Sequence, residues 1–437
     1  MMDLVVCSVA FAGSMIASLM AGQGMIWAML VGLGALLWAG RRRGASPREL
    51  LEMSWRGARG SLIVVRAMLT IGVLTGLWRA AGTFALLTAW GLQLIAPGAF
   101  VLAAFLLSCM MSYAIGSSFG TVGTIGAALM ALARSGGVDE IVAAGAILSG
   151  IYFGDRASPA SSCANLVAAV TSTDLYGDLR MMMRTSLVPM ALSLAFYTGA
   201  SLWHPMLGAE RALLTSLNLD FDLSPLVIAP TLIMLALPLF KVRISRAFLA
   251  SIACAFACAV WLQRMSVASA LSCAVFGYHA PERSVRAIFN GGGLVSMIEL
   301  CVVLMISGAY SGICEGTRML DGLHAGLERL QSRFGTFPVT LSIGTLSNVV
   351  FCNQTVGVMM TAQLLRRPYE RRGHGREELA QDIANSTVPT AGLVPWCVGS
   401  SVPLAIMGVS PRAIPWAVYL WLLPLCYALM RRRWYER

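Results

Sequence analysis

The chain has 437 residues, 57% of them hydrophobic and only 12% charged, with a mean hydropathy of +0.73 and a formal net charge of +11. Soluble domains carry about 25% charged residues, and a soluble fold could not hold this much apolar side chain without exposing it. The composition therefore excludes a soluble globular protein; the positive charge, a nucleic-acid signal in a soluble chain, here lies in short loops between apolar runs and orients the protein in a bilayer.

Residues 1–40 read as two apolar helices interrupted at Ala21-Gly22-Gln23-Gly24. No basic stretch precedes the first and a second span follows directly, so it reads as retained rather than cleaved. Arg41-Arg42-Arg43 closes the second. Residues 46–60 read as an amphipathic surface helix, capped by Ser46-Pro47 with Glu49 in its first turn. Apolar helices follow over 61–78 (interrupted by Arg66), 82–95 and 98–115.

At 116–126 the sequence GSSFGTVGTIG alternates glycine with hydroxyl residues. Glycine is costly inside a helix, so a broken helix or re-entrant hairpin is expected; a small-residue packing face is a compatible alternative. After an apolar run over 141–150 comes the densest polar stretch, Gly150–Val167, GIYFGDRASPASSCANLV. In lipid, irregular polar backbone persists only inside protein or along a watery cavity. An acid there is a functional-site candidate, and Asp155 is that acid. A short surface loop is the plain alternative.

A polar exit at 171–184 leads to a span ending near Leu202, a polar connector at 203–222, and two spans around the basic turn 241–246. The apolar run 291–313 carries Glu299. A charged amphipathic helix at 315–333 precedes SIGTLSNVVFCNQTVGVMM at 342–360. An arginine-rich loop at 366–376, a second polar patch at 385–401 and a last span to Met430 complete the chain, which ends on Arg431-Arg432-Arg433. The arginine-rich ends, the 241–246 turn and the 366–376 loop fit one side of the membrane, the cytoplasmic one. The cysteines, without a C-x-x-C pair, read as reduced structural thiols. No histidine spacing suits a metal and no P-loop is present.

The order of features repeats. Thr121-Val122-Gly123 recurs as Thr355-Val356-Gly357 (355 − 121 = 234), Gly76 matches Gly308 (308 − 76 = 232) and Pro159 matches Pro389 (389 − 159 = 230). Matched broken segments are how many secondary transporters build a midplane site. The expected fold is an all-α polytopic membrane protein of roughly 10–12 membrane segments, re-entrant or broken helices included, in two inverted structural repeats. The expected division is an N-terminal hairpin (1–45), a first repeat (46–203), a linking segment with two spans (204–280) and a second repeat (281–437).

Five stretches resemble the NhaC family of sodium/proton antiporters, within the ion-transporter superfamily: SSFGTVGTIGAALM, GAILSGIYFGDRASPASSCANL, TDLYGDLRMM, NQTVGVMM and STVPTAGLVPW. The resemblance covers roughly residues 46–425 and implies an inverted-repeat fold with re-entrant hairpins and cation-coupled exchange. The family signature continues serine-proline-x-serine-aspartate-threonine-threonine-asparagine. Here Ser158, Pro159, Ala160, Ser161, Ser162, Cys163, Ala164 and Asn165 stand in those places, so one carboxylate and two hydroxyls are gone and Asp155 is the remaining local acid.

The candidate ion or substrate ligands are Asp155, Ser158, Ser161, Ser162 and Asn165 in the central stretch, and Ser117, Ser118, Thr121 and Thr124 ahead of it. Asn353, Gln354, Thr355, Thr387 and Thr390 are the candidates in the second half. A desolvated carboxylate takes up a proton more readily, so one acid able to hold either a proton or Na+ gives obligatory exchange. Arg66 and Glu299 are intramembrane charges expected to pair, with separate cavities or snorkelling as the alternative. The expected function is proton-coupled sodium antiport across the bacterial inner membrane, both termini cytoplasmic. An exchanger of a small organic acid or amino acid is the alternative; a channel would need a filter ring, and nothing marks an enzyme. No cofactor and no bound metal beyond transient Na+ at Asp155 is expected. The partners expected are Na+ and H+ or a small organic solute, and the lipid bilayer; nucleic acid is not among them, and a homodimer is compatible.

Overall fold

The computed structural model describes residues 25–206, 221–240, 242, 244–280, 290–317, 319 and 324–435, with scattered positions between 7 and 18. The expected break at 21–24, most of the 203–222 connector, Lys241, Arg243, and Arg283 with Arg286 lie outside the described residues. All regular elements described are helices. Three are long and apolar enough to cross a bilayer, Pro97–Ile115, Leu175–Trp203 and Val295–Gly316, and seven shorter apolar helices of 10–17 residues accompany them. The protein is an all-α polytopic membrane protein.

The first half comprises α1 (Met25–Arg42), α2 (Pro47–Ala80), α3 (Thr83–Leu94), α4 (Phe100–Ile115), α5 (Ser118–Thr121), a π-turn at Val122–Gly126, α6 (Ala127–Ser135), α7 (Glu140–Ala157), α8 (Ser162–Thr171) and α9 (Leu175–Trp203). Then come α10 (Ala229–Leu239), α11 (Ile244–Trp261) and α12 (Val267–Phe276). The rest is α13 (Ile298–Gly316), α14 (His324–Phe334), α15 (Thr336–Phe351), α16 (Gln354–Arg371), α17 (Arg376–Asn385), α18 (Thr387–Ala391), α19 (Val398–Met407) and α20 (Val418–Tyr435).

Two sequence expectations change. The surface helix at 46–60 and the span after it are one 34-residue helix, α2. Its start is capped as expected: the Ser46 N–H donates to Glu49 at 2.7 Å and the Glu49 N–H to Ser46 Oγ at 3.3 Å. It bends by 43° between Leu62 and Val64. The arginine-rich loop is also shorter than expected. Leu364, Leu365, Pro368 and Tyr369 are buried on α16 and carry the helix through Arg371, so only four residues separate it from Arg376 at the start of α17.

The halves repeat with a single offset, and it is none of the three that letter matching suggested. Ser112 donates its hydroxyl to the Ile151 carbonyl; Asn348 donates its amide to the Thr387 carbonyl at 2.7 Å. Both members are displaced by 236 residues (348 − 112; 387 − 151). At the same offset Gly116 (φ 69°) and Cys352 (φ 54°) are both left-handed, and Ser117 (φ −150°, ψ 123°) and Asn353 (φ −145°, ψ 122°) both cap the next helix. The true partner of Pro159 is Pro395, and that of Gly76 is Gly312. Glycine, proline, valine and threonine recur too often in apolar helices for short matches to fix a register; the backbone breaks do fix it.

The contact between halves is reciprocal. A Cβ on Gly57 would lie 2.1 Å from the Gly308 carbonyl oxygen, and one on Gly72 would lie 2.6 Å from that of Gly293. Since 57 + 236 = 293 and 72 + 236 = 308, each contact is the other with its members exchanged. This is the mark of a two-fold axis. Helix α1 packs on α13, and α12 packs on α2, in the same swapped way.

Helix α7 runs through the main core. Fifteen of its eighteen residues are buried, so it is apolar all round rather than amphipathic. Gly150 and Gly154 bring its backbone against α4: a Cβ on Gly154 would lie 2.0 Å from the Ser112 carbonyl carbon.

Candidate functional site

Helix α4 stops at Gly116, and the Ser117 hydroxyl starts α5 by accepting the Gly120 N–H at 3.2 Å. Beside it α7 stops at Ala157. The Ser161 hydroxyl starts α8 by accepting the N–H groups of Cys163 (3.0 Å) and Ala164 (3.1 Å). Each break leaves backbone groups without helix partners, and serine supplies some of them.

Asp155 lies in the last turn of α7, 4% exposed. Its N–H donates to Ser112 Oγ at 3.1 Å, and its carbonyl accepts the Ser161 hydroxyl. The carboxylate Oδ2 accepts a hydrogen bond at 3.2 Å from Gln354 Nε2, which comes from the other half. The Ser118 amide and hydroxyl lie against the same carboxylate. No ion pair involves Asp155 among the described residues. Neighbouring Arg156 turns away. It is 1% exposed and donates to Ser186 (2.6 Å), Thr185 (2.8 Å), Asn385 (2.8 Å), Tyr419 (3.3 Å) and the carbonyls of Met182 (3.0 Å) and Ala384 (3.1 Å). It binds α7 to α9, α17 and α20 and neutralises no acid.

The structure thus gathers Asp155, Ser118 and Gln354, with Ser161 beneath them. Ser158 donates instead to the Tyr113 carbonyl at 2.6 Å. Thr121 and Thr124 return their hydroxyls to the carbonyls of Ser117 and Gly120, both at 2.8 Å. Asn353 caps α16 through the Thr355 N–H at 2.9 Å. Ser162, Asn165 and Thr355 are exposed. Arg66 and Glu299 are exposed as well, and no ion pair joins them. Thr387 and Thr390 surround Asn348, whose Nδ2 donates to the Thr387 carbonyl and to Thr390 Oγ1 at 3.1 Å, while its buried Oδ1 has no partner.

Sequence reasoning missed Ser112, inside a run that read as apolar, and passed over Tyr152 and Asn348 inside the stretches it singled out. It also missed a network between α16, α17 and α20. Buried Asp382 accepts from Tyr369 (2.6 Å), Tyr427 (2.7 Å) and Arg431 Nε (3.0 Å). Arg431 also pairs with Glu378, which holds His374 Nδ1 at 2.9 Å. The i, i+4 spacing of Glu378 and Asp382 was the available signal. All eleven cysteines are free thiols.

An acid enclosed where two broken helices meet, in a two-fold bundle of apolar helices, is the construction of a secondary transporter. Residues 150–431 match the Na+/H+ antiporter family, and the chain belongs to that family. Its relatives carry several cargoes. It is 28% identical over 395 residues to a malate-2H+/Na+-lactate antiporter of Bacillus subtilis, covering 88% of this chain and 83% of that one. It is 26% identical over 361 residues to the Na+/H+ antiporter NhaC of Alkalihalophilus pseudofirmus, covering 81% and 78%. It is 27% identical over 405 residues to an arginine/ornithine antiporter of Halobacterium salinarum, covering 87% and 83%. The protein is a secondary antiporter.

Proposed function

We propose that this antiporter exchanges Na+ for H+ across the bacterial cytoplasmic membrane, with both termini cytoplasmic, by exposing one site to each side in turn. The observation that carries this is Asp155: an enclosed carboxylate, without a cation of its own, touched by Gln354 from the opposite half. Hard cations take oxygen ligands, and the Ser118 hydroxyl stands beside the acid, with the Gln354 amide donating to it through Nε2. Asp155 holds a proton or Na+ but not both, so each passage of one returns the other. Two inverted repeats carry the site. Because α1 and α12 occupy equivalent places, we place the hairpin at 1–45 with the first repeat and α11–α12 with the second.

A second reading is exchange of a small organic acid or amino acid. It is favoured by Ser162, Cys163 and Ala164, which stand where the family signature has aspartate and two threonines, and by the cargoes in the relatives' names. Purified protein in liposomes with an internal pH dye separates the two. Na+ alone dissipates the pH gradient in the first reading. Only a carboxylate or amino acid does so in the second.

A further inference from the structure

We propose that the Tyr152 hydroxyl is a further ligand to the transported cation, supplied from α7, with Gly392 and Gly399 leaving room for its ring. The proposal rests on the reading of Asp155 as the cation site.

Tyr152 and Asp155 are three residues apart on α7, so their side chains share a face. The tyrosine is 1% exposed, and its hydroxyl has no hydrogen-bond partner. Burying a hydroxyl without a partner is costly, and tyrosine hydroxyls in protein interiors usually find one. Phenylalanine would fill the same place without that cost. An orphan hydroxyl facing a transport site is therefore a group awaiting a ligand.

The ring's surroundings support this. It crosses from the first half into the broken segment of the second, between α18 and α19. A Cβ on Gly399 would lie 2.3 Å from the Tyr152 hydroxyl oxygen, and one on Gly392 would lie 2.8 Å from the ring edge. Both glycines have ordinary negative φ, so no turn demands them. Their contribution here is space beside this ring. Asp155, Cys163 and Cys397 are among its titratable neighbours. Cys163 is one of the positions that departs from the family signature, and Cys397 is the counterpart of Ser161 (397 − 161 = 236). Soft, weakly bonding thiols leave the hydroxyl unclaimed. A phenol oxygen is neutral, so it adds coordination without adding charge, and the proton–cation competition stays on Asp155 alone.

The test is Tyr152→Phe, which removes one oxygen and keeps the ring. In liposomes, the Na+ concentration for half-maximal exchange is expected to rise roughly tenfold, with the maximal rate within about twofold of wild type, and the Na+/Li+ preference to change. Gly399→Ala, which crowds the hydroxyl without removing it, is expected to raise the same constant. Thermal stabilisation of the purified protein by Na+ gives a readout without transport and is expected to weaken in parallel. If Tyr152→Phe leaves the Na+ dependence, the Na+/Li+ preference and the Na+-induced stabilisation unchanged, the proposal is wrong. If wild-type protein neither moves Na+ nor is stabilised by it, the sodium reading itself fails and this ligand assignment falls with it.

Discussion

The two broken regions share one backbone and differ in what it carries. Gly116 and Cys352 turn the chain alike, Ser117 and Asn353 cap alike, and Ser112 and Asn348 bridge to equivalent carbonyls. Yet position 155 is aspartate and its counterpart, 391, is alanine (391 − 155 = 236). Ser161 becomes Cys397, and Ser158 becomes Val394. The duplicated frame makes two places where helices end in the membrane, and only one of them holds a charge.

The comparison breaks most completely at Asp155. Asp155→Asn removes the only carboxylate of the pair, and on the proposed mechanism exchange in the dye assay is expected to fall to background. A mutant that still exchanges at the wild-type rate would place the coupling elsewhere. Next in size is Arg431→Met, which leaves Asp382 and Glu378 without their cation. Removing one partner of a buried pair costs about 3–5 kcal/mol, so a large drop in melting temperature in detergent is expected.

The turns sharpen the comparison further. Gly116→Ala meets both a positive φ and backbone: a Cβ there would lie 2.4 Å from the Ala160 carbonyl carbon. It is expected to destabilise by at least about 1–2 kcal/mol. Cys352→Gly, at the counterpart, relieves a left-handed residue and is expected to be neutral or stabilising by up to about 1 kcal/mol. Equal effects at the two positions would show that their likeness ends at the dihedral angles. The smallest effect is expected from Ser46→Ala, outside the repeat's broken regions. Loss of the cap costs about 1 kcal/mol, with no change in exchange.

The all-helical membrane class was legible from composition, and the first break from the rhythm of Gly116, Gly120 and Gly123 among hydroxyls. Asp155 stood out because an acid in apolar surroundings is rare. The Ser46 cap was legible because capping is local. What escaped was whatever depends on register between distant helices. The offset of 236 is carried by dihedrals and hydrogen bonds, which Ser112 and Asn348 satisfy with different side chains. Arg66 and Glu299 looked like partners because both interrupt apolar runs; periodicity does not say which way a lone charge faces. Ser158, Thr121 and Thr124 give their hydroxyl protons to nearby carbonyls, a local use that residue type does not announce.

The glycine contacts between the halves have a consequence for closeness. Helices usually interlock by side chains seated between side chains, which holds their axes apart. At Gly57 and Gly308, and again at Gly72 and Gly293 just ahead of α13, backbone lies against backbone, with the Ser61 hydroxyl and the Met297 side chain seated beside them. A methyl group at Gly57 or Gly72 would therefore act as a wedge in the seam where the two halves face each other.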